Sequence, residues 1–262
     1  MSISAPPLIE LRHVTVMRGA RLVLHDVNLS IATGEHVAIM GPNGSGKSTL
    51  IKTITRELYP LAQPDSSMQV LGQERWDITS LRALLGIVSN DPGATGGRRI
   101  TGRDAILGSF FSSVGLWPHQ QVTEEMRAKG EAVMDLLEIR HLAARYLHEM
   151  SAGELRRFLI GRALVHEPRA LLLDEPSNSL DIFAQKELHR LMRKLAQSGI
   201  ALLLITHHLP DVIPEIKRVI FMKDGRLIQD GPKEKLLTSS SLSELFGCQV
   251  ELTKRGGYYY MK

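Results

Sequence analysis

The sequence predicts an α/β fold in which helices flank a mostly parallel sheet, preceded by an antiparallel β subdomain and carrying an inserted helical subdomain. Three observations lead to this prediction. Short apolar strands alternate with amphipathic helices, which is typical of a parallel sheet. An alternating hairpin pattern opens the chain, and helical periodicity fills a long stretch between two strands. At 262 residues the chain can bury one core with a modest insertion.

The first predicted element is an antiparallel hairpin. Apolar and polar residues alternate over 8–16 and 21–31, around a turn at Arg18, Gly19 and Ala20. The apolar run 36–40 then predicts a buried strand, which leads through a glycine-rich loop into a helix from about Lys47 to Glu57.

The segment from about 91 to 165 differs in character from its surroundings. Glycine and arginine crowd 93–103, and helical periodicity follows, so we interpret the segment as an inserted helical subdomain. After it come a strand over 169–174, a helix from about Phe183 to Gln197 and a strand over 200–206. Asp224 and Gly225 between two apolar runs predict a hairpin. We assign 1–240 to one domain and 241–262 to a C-terminal tail.

Composition narrows the class of protein. A net charge of +4 is small and dispersed, so binding to nucleic acid is not expected. The single cysteine, Cys248, excludes an internal disulfide and fits a reducing compartment. The apolar runs fall short of the roughly 20 residues that span a bilayer, and the start lacks the pattern of a signal peptide. We therefore expect a cytoplasmic protein.

Residues 41–49 match the phosphate-loop pattern G-x-x-x-x-G-K-[ST] between a strand and a helix. Glycines let backbone N–H groups surround phosphates, and the start of the helix favours the same anion. Lys47 adds a charge at the β and γ phosphates, and the Ser48 hydroxyl is a suitable Mg²⁺ ligand. A plain glycine turn would need neither side chain. The predicted ATP-binding residues of this loop are Gly41, Pro42, Asn43, Gly44, Ser45, Gly46, Lys47, Ser48 and Thr49.

Two adjacent acids end the apolar strand 170–174. Asp174 is expected to hold Mg²⁺ through its water shell, and Glu175 to polarise the water that attacks the γ phosphate. An acidic turn without catalytic role is the alternative. His207 follows the next apolar strand, where it can reach the γ phosphate, although an isolated histidine there is more often structural. Four further histidines have no zinc spacing and are interpreted as surface or capping residues: His141, His148, His166 and His208.

The segment 150–154 precedes a predicted helix. Its S-x-x-E spacing makes Ser151 an N-cap and Glu154 its partner in a capping box. The segment also resembles LSGGQ, the signature of ABC ATPases. Ser151 and Gly153 are kept, while Met150, Ala152 and Glu154 replace the leucine, a glycine and the glutamine. With the phosphate loop, the acidic strand and His207 in the family's order, residues 8–235 resemble an ABC ATPase, a P-loop NTPase.

The resemblance implies a site shared by two copies of the chain. Each ATP would lie between the phosphate loop of one copy and residues 151–154 of the other, and Asp181, in a segment resembling the family's D-loop, would lie at the dimer seam. It further implies an ATP-hydrolysing, Mg²⁺-dependent subunit of an ABC transporter, bound to integral membrane permease subunits at the inner face of the cell membrane. Residues 108–117 resemble the ATP-binding subunits of importers for iron complexes or molybdate. The alternative is that this segment is an apolar packing face of the helical subdomain.

Several positions depart from the family pattern. Arg18 stands where most relatives carry an aromatic residue that stacks on adenine; its guanidinium either stacks instead or weakens the preference for adenine. Asn90 takes the place of a longer glutamine as a candidate Mg²⁺ ligand. The glycines and arginines just beyond it grip a membrane partner or form a solvated loop: Gly96, Gly97, Arg98, Arg99 and Arg103.

A soluble ABC ATPase that drives a cytosolic assembly or repair partner would use the same site. Copurification with a polytopic membrane protein would favour a transport subunit over this alternative. A GTPase or small-molecule kinase is disfavoured, because no N-K-x-D motif is present and the signature would be unexplained.

Overall fold

The computed structural model describes residues 6–89 and 99–262, so the predictions on Asn90, Gly96, Gly97 and Arg98 lie outside the described residues. The strands are β1 (Ile9–Arg18), β2 (Arg21–Ile31), β3 (Val37–Met40), β4 (Ser67–Val70), β5 (Leu85–Val88), β6 (Ala170–Asp174), β7 (Ala201–Thr206), β8 (Arg218–Lys223), β9 (Arg226–Pro232), β10 (Leu252–Arg255) and β11 (Tyr258–Met261). The helices are α1 (Lys47–Ile54), α2 (Ile78–Leu84), α3 (Gly102–Gly108), α4 (Glu124–Leu136), α5 (Ala152–Leu164), α6 (Ile182–Gln197), α7 (Lys233–Leu236) and α8 (Ser239–Phe246).

A six-stranded sheet in the order β5-β6-β7-β3-β8-β9 forms the centre of the molecule. All neighbouring pairs are parallel except β8 and β9, which form the predicted hairpin around Asp224 and Gly225. The register places Met40 beside Thr206 and Asp174 beside Ile205. The phosphate loop, the acidic pair and His207 therefore leave the sheet at one edge, as the predicted parallel order requires.

The N-terminal hairpin is confirmed as part of a three-stranded antiparallel sheet in the order β2-β1-β4. The prediction that Arg18 lies in the turn is wrong. Arg18 ends β1 and pairs with Arg21, which leaves Gly19 and Ala20 as the turn.

Helix α1 ends three residues before the predicted Glu57. Arg56 adopts a left-handed φ of 62°, which ends the helical path. Its guanidinium donates to the carbonyl oxygens of Met68 (3.0 Å) and Glu74 (2.6 Å), so the conformation is held by packing that no local pattern reveals.

The two faces of the central sheet belong to different cores. Val37 and Ile39 of β3 pack with the N-terminal sheet, whereas Ala38 and Met40 face the core beneath the helices. Helices α3, α4 and α5 occupy the segment predicted as a helical insert. Their buried residues belong to the second core, including Ile106, Met134 and Phe158.

The C-terminal residues also pack on this second core. Helix α8, the connection after it and the β10–β11 hairpin together contribute four buried side chains to it, Leu242, Leu245, Val250 and Tyr259. The segment assigned to a tail is therefore an ordered part of the packing. Across residues 6–89 and 99–262, none of the helices is both long enough and apolar enough to cross a bilayer.

Candidate nucleotide site

A cleft of about 540 Å³ opens between the N-terminal sheet and the phosphate loop. This volume is within the range of small-molecule sites. Its lining comes from the first hairpin, the phosphate loop, the end of β6 and the β8–β9 turn: Arg18, Arg21, Leu22, Val23, His25, Asn43, Gly44, Gly46, Lys47, Ser48, Thr49, Glu175, Asp224 and Gly225.

The phosphate loop has the conformation that anion binding needs. Gly46 caps α1 with φ 106°, a region that L side chains rarely adopt. At Gly41 a Cβ atom would collide with the carbonyl oxygen of Met222. The Ser45 hydroxyl is buried with no hydrogen-bond partner in the described part of the chain. An anion in the loop would satisfy that hydroxyl and the free N–H groups at the start of α1.

The hairpin turn after β8 holds this loop in place. The Gly225 N–H donates to the carbonyl oxygen of Ser45 (2.8 Å), and the Gly225 carbonyl oxygen accepts from the His25 N–H (2.9 Å). The predicted β8–β9 hairpin is therefore a wall of the site as well as a sheet edge.

Lys47 is buried at the base of the cleft. Its Nζ donates to the carbonyl oxygens of Gly41 (2.7 Å) and Pro42 (3.0 Å) and lies 3.8 Å from Glu175 Oε1. Burial lowers the pKa of Lys47, and the charges of Glu175 and Asp174 partly oppose that change.

The acidic pair lies where β6 ends. Burial, and then the neighbouring charge of Glu175, raises the pKa of Asp174 to about 6. Glu175 has a left-handed φ of 48°, and its N–H donates to the Ile205 carbonyl oxygen (2.8 Å). This turn in the chain places Glu175 in the cleft lining, while Asp174 stays partly buried beside it.

His207 lies next to Glu175. Its Nδ1 is 2.8 Å from Glu175 Oε2, outside hydrogen-bond alignment, and its N–H donates to the same oxygen at 3.4 Å. The structure therefore brings together three predicted catalytic residues, Lys47, Glu175 and His207.

The available donors suit a hard cation. Ser48 contributes a hydroxyl to the cleft, and Asp174 is a carboxylate whose raised pKa a neighbouring cation would lower. Oxygen donors of these two types are those that Mg²⁺ prefers.

The predicted signature segment has the expected local structure but lies outside the cleft of its own chain. Ser151 Oγ accepts from the Glu154 N–H (3.3 Å), and Glu154 Oε2 accepts from the Ser151 N–H (2.7 Å), which confirms the capping box. Among the described residues that line the cleft, none belongs to 151–154. Gly153 packs so closely on α6 that a Cβ atom would lie 2.8 Å from Ala184 Cβ.

Asp181 is the N-cap of α6, where its Oδ1 accepts from the Ala184 N–H (2.8 Å). The next two side chains, Ile182 and Phe183, are 75% and 74% exposed, the highest values among the exposed large hydrophobic residues described. A pair of large apolar side chains at this exposure, beside the signature helix, forms a candidate contact surface.

Arg18 and Arg21 line the cleft, and no Phe, Tyr or Trp is among its described lining residues, although the His25 ring is. Position 18, where the family pattern has an aromatic residue, therefore presents a guanidinium group to the cleft.

The described arginines of the predicted partner-docking loop contact their own chain. Arg99 lies over the Tyr146 ring (5.7 Å to the centroid), and Arg103 Nε is 3.2 Å from Glu131. Within 108–117, Phe110 and Val114 pack against the second core, beneath the helices, while Trp117 is 43% exposed. The packing alternative for that segment thus has direct support.

A buried polar cluster that no sequence pattern indicates lies behind the acidic pair. Asp211 is fully buried and joins Ser177, His189, Thr206 and His208. The interpretation of His208 as a surface or capping residue agrees with its position at the N-cap of the short helix Leu209–Asp211, where its half-buried ring also contacts Asp211. A histidine within the apolar face of α6 and an aspartate after β7 carry no pattern that would predict their contact.

The six-stranded sheet and the loop at its edge define a P-loop nucleotide-binding ATPase. The family model described as ABC transporter matches residues 24–178. A putative ABC transporter ATP-binding protein of Streptococcus mutans is 26% identical, covering 94% of both chains. A hemin import ATP-binding protein of Aliivibrio fischeri is 28% identical, covering 91% of this chain and 90% of that protein.

Solved structures agree with these sequence matches. The cbiO1 protein from Clostridium perfringens, part of the ABC transporter complex cbiONQ, has TM-score 0.75 at 26% identity and covers 91% of this chain and 94% of its own. A dimeric ATP-binding cassette bound to ADP and phosphate has TM-score 0.69 at 25% identity, with 86% and 98% covered. The chain belongs to the ABC transporter family and is an ATP-binding, ATP-hydrolysing subunit of that family.

Proposed function

We propose that this chain hydrolyses ATP at two sites shared by a head-to-tail pair of copies and that this cycle powers a membrane transporter. The observation that carries the proposal is the separation within one chain between the phosphate-binding cleft and the capped Ser151 helix. Two incomplete halves on one protomer complement each other when two copies are related by a twofold axis.

In the proposed site Lys47 and the phosphate loop hold the β and γ phosphates, and Ser48 and Asp174 hold Mg²⁺, with Asn90 as a further candidate ligand. Bound Mg²⁺ would neutralise phosphate charge. Arg18 lies over the base. Glu175 accepts a hydrogen bond from the attacking water, and His207, at 2.8 Å from that carboxylate, orients it and approaches the γ phosphate.

From the partner copy, Ser151 and the N–H groups that open α5 contact the γ phosphate. The positive end of that helix favours the anion, so the pair closes while the phosphate bridges it and separates after hydrolysis. Asp181 lies at the seam, and the exposed Ile182 and Phe183 beside it would be covered by the partner.

The seam can be tested by light scattering on the Glu175→Gln variant with ATP and Mg²⁺. We expect the mass of a dimer, and we expect Phe183→Ser in the same background to shift the protein to monomer. Tyr59→Ser is the matched control, because Tyr59 is also a large exposed side chain (65%) but lies elsewhere. A Glu175→Gln protein that stays monomeric with bound ATP, or a Phe183→Ser protein that dimerises as fully as the Tyr59→Ser control, would contradict the proposed pairing.

The transport role has support from relatives named as import ATP-binding proteins and from the cbiONQ complex. We place the chain in the cytoplasm, bound to the inner face of the membrane through integral permease subunits. Purification of the full chain from detergent-solubilised membranes tests this. Copurification of a polytopic membrane protein is the expected result, whereas recovery with a cytosolic assembly alone would favour the soluble alternative.

A further inference from the structure

The Asp211 carboxylate is the centre of the buried cluster. It is 0% exposed and accepts from Ser177 Oγ (2.7 Å) and Thr206 Oγ1 (3.0 Å) on Oδ2. Oδ1 lies 2.8 Å from His189 Nε2 and 3.3 Å from His208 Nδ1. Each carboxylate oxygen thus contacts two polar side chains. A buried charge needs such partners, because burial without them is costly in free energy.

The cluster is directly connected to the proposed catalytic pair. Thr206 Oγ1 is 3.4 Å from Glu175 Oε2, and it accepts from the His208 N–H at 2.9 Å. Ser177 lies two residues after Glu175, and Thr206 immediately precedes His207. The Asp211 carboxylate therefore contacts a residue that follows Glu175 and the residues immediately before and after His207.

The C-terminal hairpin covers the outer side of the cluster. The His189 and Tyr258 rings stack with centroids 5.8 Å apart and an interplanar angle of 27°. Burial raises the pKa of Tyr258, and the charge of Arg193, one turn along α6 from His189, partly opposes that change. The β10–β11 hairpin thus reaches the catalytic pair through Tyr258, His189 and Asp211.

We propose that Asp211 is a positioning residue for ATP hydrolysis, which fixes Glu175 and His207 relative to each other through Ser177 and Thr206, and that Tyr258 of the C-terminal hairpin supports it through His189. This inference rests on the proposed roles of Glu175 and His207.

The energetics of burial favour this assignment. A buried charge with its partners is often replaceable by apolar residues without loss of stability, so stability alone is a weak reason for such a cluster. A fully satisfied polar network, in contrast, fixes its members in one arrangement. Catalysis is sensitive to that arrangement, because a misplacement of about 1 Å can cost roughly 100-fold in rate.

The position of Asp211 also predicts which kinetic constant it controls. Asp211 is not among the residues that line the cleft in the described part of the chain, and its contacts do not include the phosphate loop. Its loss should therefore lower kcat and leave ATP binding nearly unchanged.

The first test is steady-state ATPase kinetics and nucleotide affinity of Asp211→Asn. We expect kcat to fall about tenfold or more, with ATP affinity within about twofold of the original chain. A folded variant with unchanged kcat, or one whose loss lies only in affinity, would overturn the proposal.

A second pair of variants tests the proposed role of Asp211 even if Asp211→Asn fails to fold. Thr206→Val removes the hydroxyl with little change in shape, whereas Thr206→Ser keeps it. We expect kcat to fall in the first and to recover to within about threefold in the second, because the hydroxyl donates to Asp211, accepts from the His208 N–H and lies 3.4 Å from Glu175 Oε2. Equal kcat in the two variants would contradict the connection.

The contribution of the hairpin is tested by Tyr258→Ala against Tyr260→Ala. Tyr260 is the same residue type on the same strand and is 41% exposed. Only Tyr258→Ala should lower kcat; equal effects would remove the hairpin from the proposal. The Glu175→Gln variant distinguishes a failure of the proposed catalytic role of Glu175 from a failure of the positioning role of Asp211. Full turnover in Glu175→Gln would refute the catalytic role, whatever the Asp211 variants show.

Discussion

His207 and Glu175 face each other at the end of adjacent parallel strands, with His207 Nδ1 2.8 Å from Glu175 Oε2. The register of β6 and β7 fixes this relationship, since each residue follows directly on its strand. The proposed base and the histidine that orients it are therefore set by the sheet rather than by a flexible loop.

Replacement of Glu175 by glutamine should abolish turnover without abolishing binding. The amide keeps the size of the side chain but is no longer a base, and general-base catalysis typically contributes about 100-fold or more. Single-turnover hydrolysis and equilibrium binding of labelled ATP measure the two properties. A Glu175→Gln variant with the original rate would remove Glu175 from the role of base.

Arg18 should determine how strongly the site prefers adenine. A tyrosine at this position would restore the aromatic surface that most relatives carry, and stacking contributes about 1 kcal/mol. We expect Arg18→Tyr to raise ATP affinity several-fold and to increase the ratio of ATP to GTP affinity. Competition binding with both nucleotides checks this, and an unchanged ratio would show that the base does not contact residue 18.

Ser151 should have two separable roles, one in capping and one in catalysis. Ser151→Ala removes the N-cap of α5 and should cost about 1 kcal/mol of unfolding free energy. Thr123→Ala is the matched control, because Thr123 caps α4 in the same way, with Oγ1 accepting from the Met126 N–H at 3.2 Å. Denaturant unfolding should show similar losses for both variants, while only Ser151→Ala lowers ATPase activity. Equal activity would leave Ser151 with capping alone.

The Asp211 cluster should make stability depend on pH. Burial by itself would raise the pKa of Asp211, but hydrogen bonds from His189, His208 and Ser177 outweigh it and hold that pKa well below its ordinary value. The hydrogen bond to Asp211 in turn raises the pKa of His208. The contribution of Asp211 to the free energy of unfolding is complete above the pKa of an aspartate in the unfolded chain, about 3.9. The contribution of His208 is complete below the pKa of an unfolded histidine, about 6.5.

Stability contributed by Asp211 is lost as the pH falls through its lowered pKa, and that of His208 as the pH rises through its raised one. The difference in unfolding free energy between the original chain and Asp211→Asn should therefore be largest between about pH 4 and pH 6.5. Urea unfolding at several pH values measures it, with Asp65→Asn, an exposed position, as the control. A difference that is constant with pH would contradict the assigned charges.

Much of the fold and of the nucleotide site could be predicted because their signals are contiguous. The phosphate loop, the acidic pair and the Ser151 capping box each occupy fewer than ten consecutive residues, and the local structure they require is the one observed. The alternation of strands and helices was sufficient to predict the parallel sheet, whose register brings the phosphate loop and the acidic pair to one edge.

The remaining features depend on contacts between residues far apart in the chain. Asp211 and His189 come together only because α6 packs against the turn after β7, and the C-terminal hairpin joins them through Tyr258. The early end of α1 depends on Arg56 reaching the carbonyl of Glu74. Neither contact leaves a periodic pattern or a fixed spacing in the sequence.

Whether each ATP is hydrolysed between two copies of the chain can be measured by mixing two inactive variants. Lys47→Ala damages the phosphate side and Ser151→Arg the signature side, so each homodimer lacks both sites. Half of the randomly mixed pairs contain one chain of each kind, and each such pair has one intact site, so ATPase activity should return to about a quarter of the original. A mixture that stays inactive, with both variants folded and able to pair, would contradict a site built from two chains.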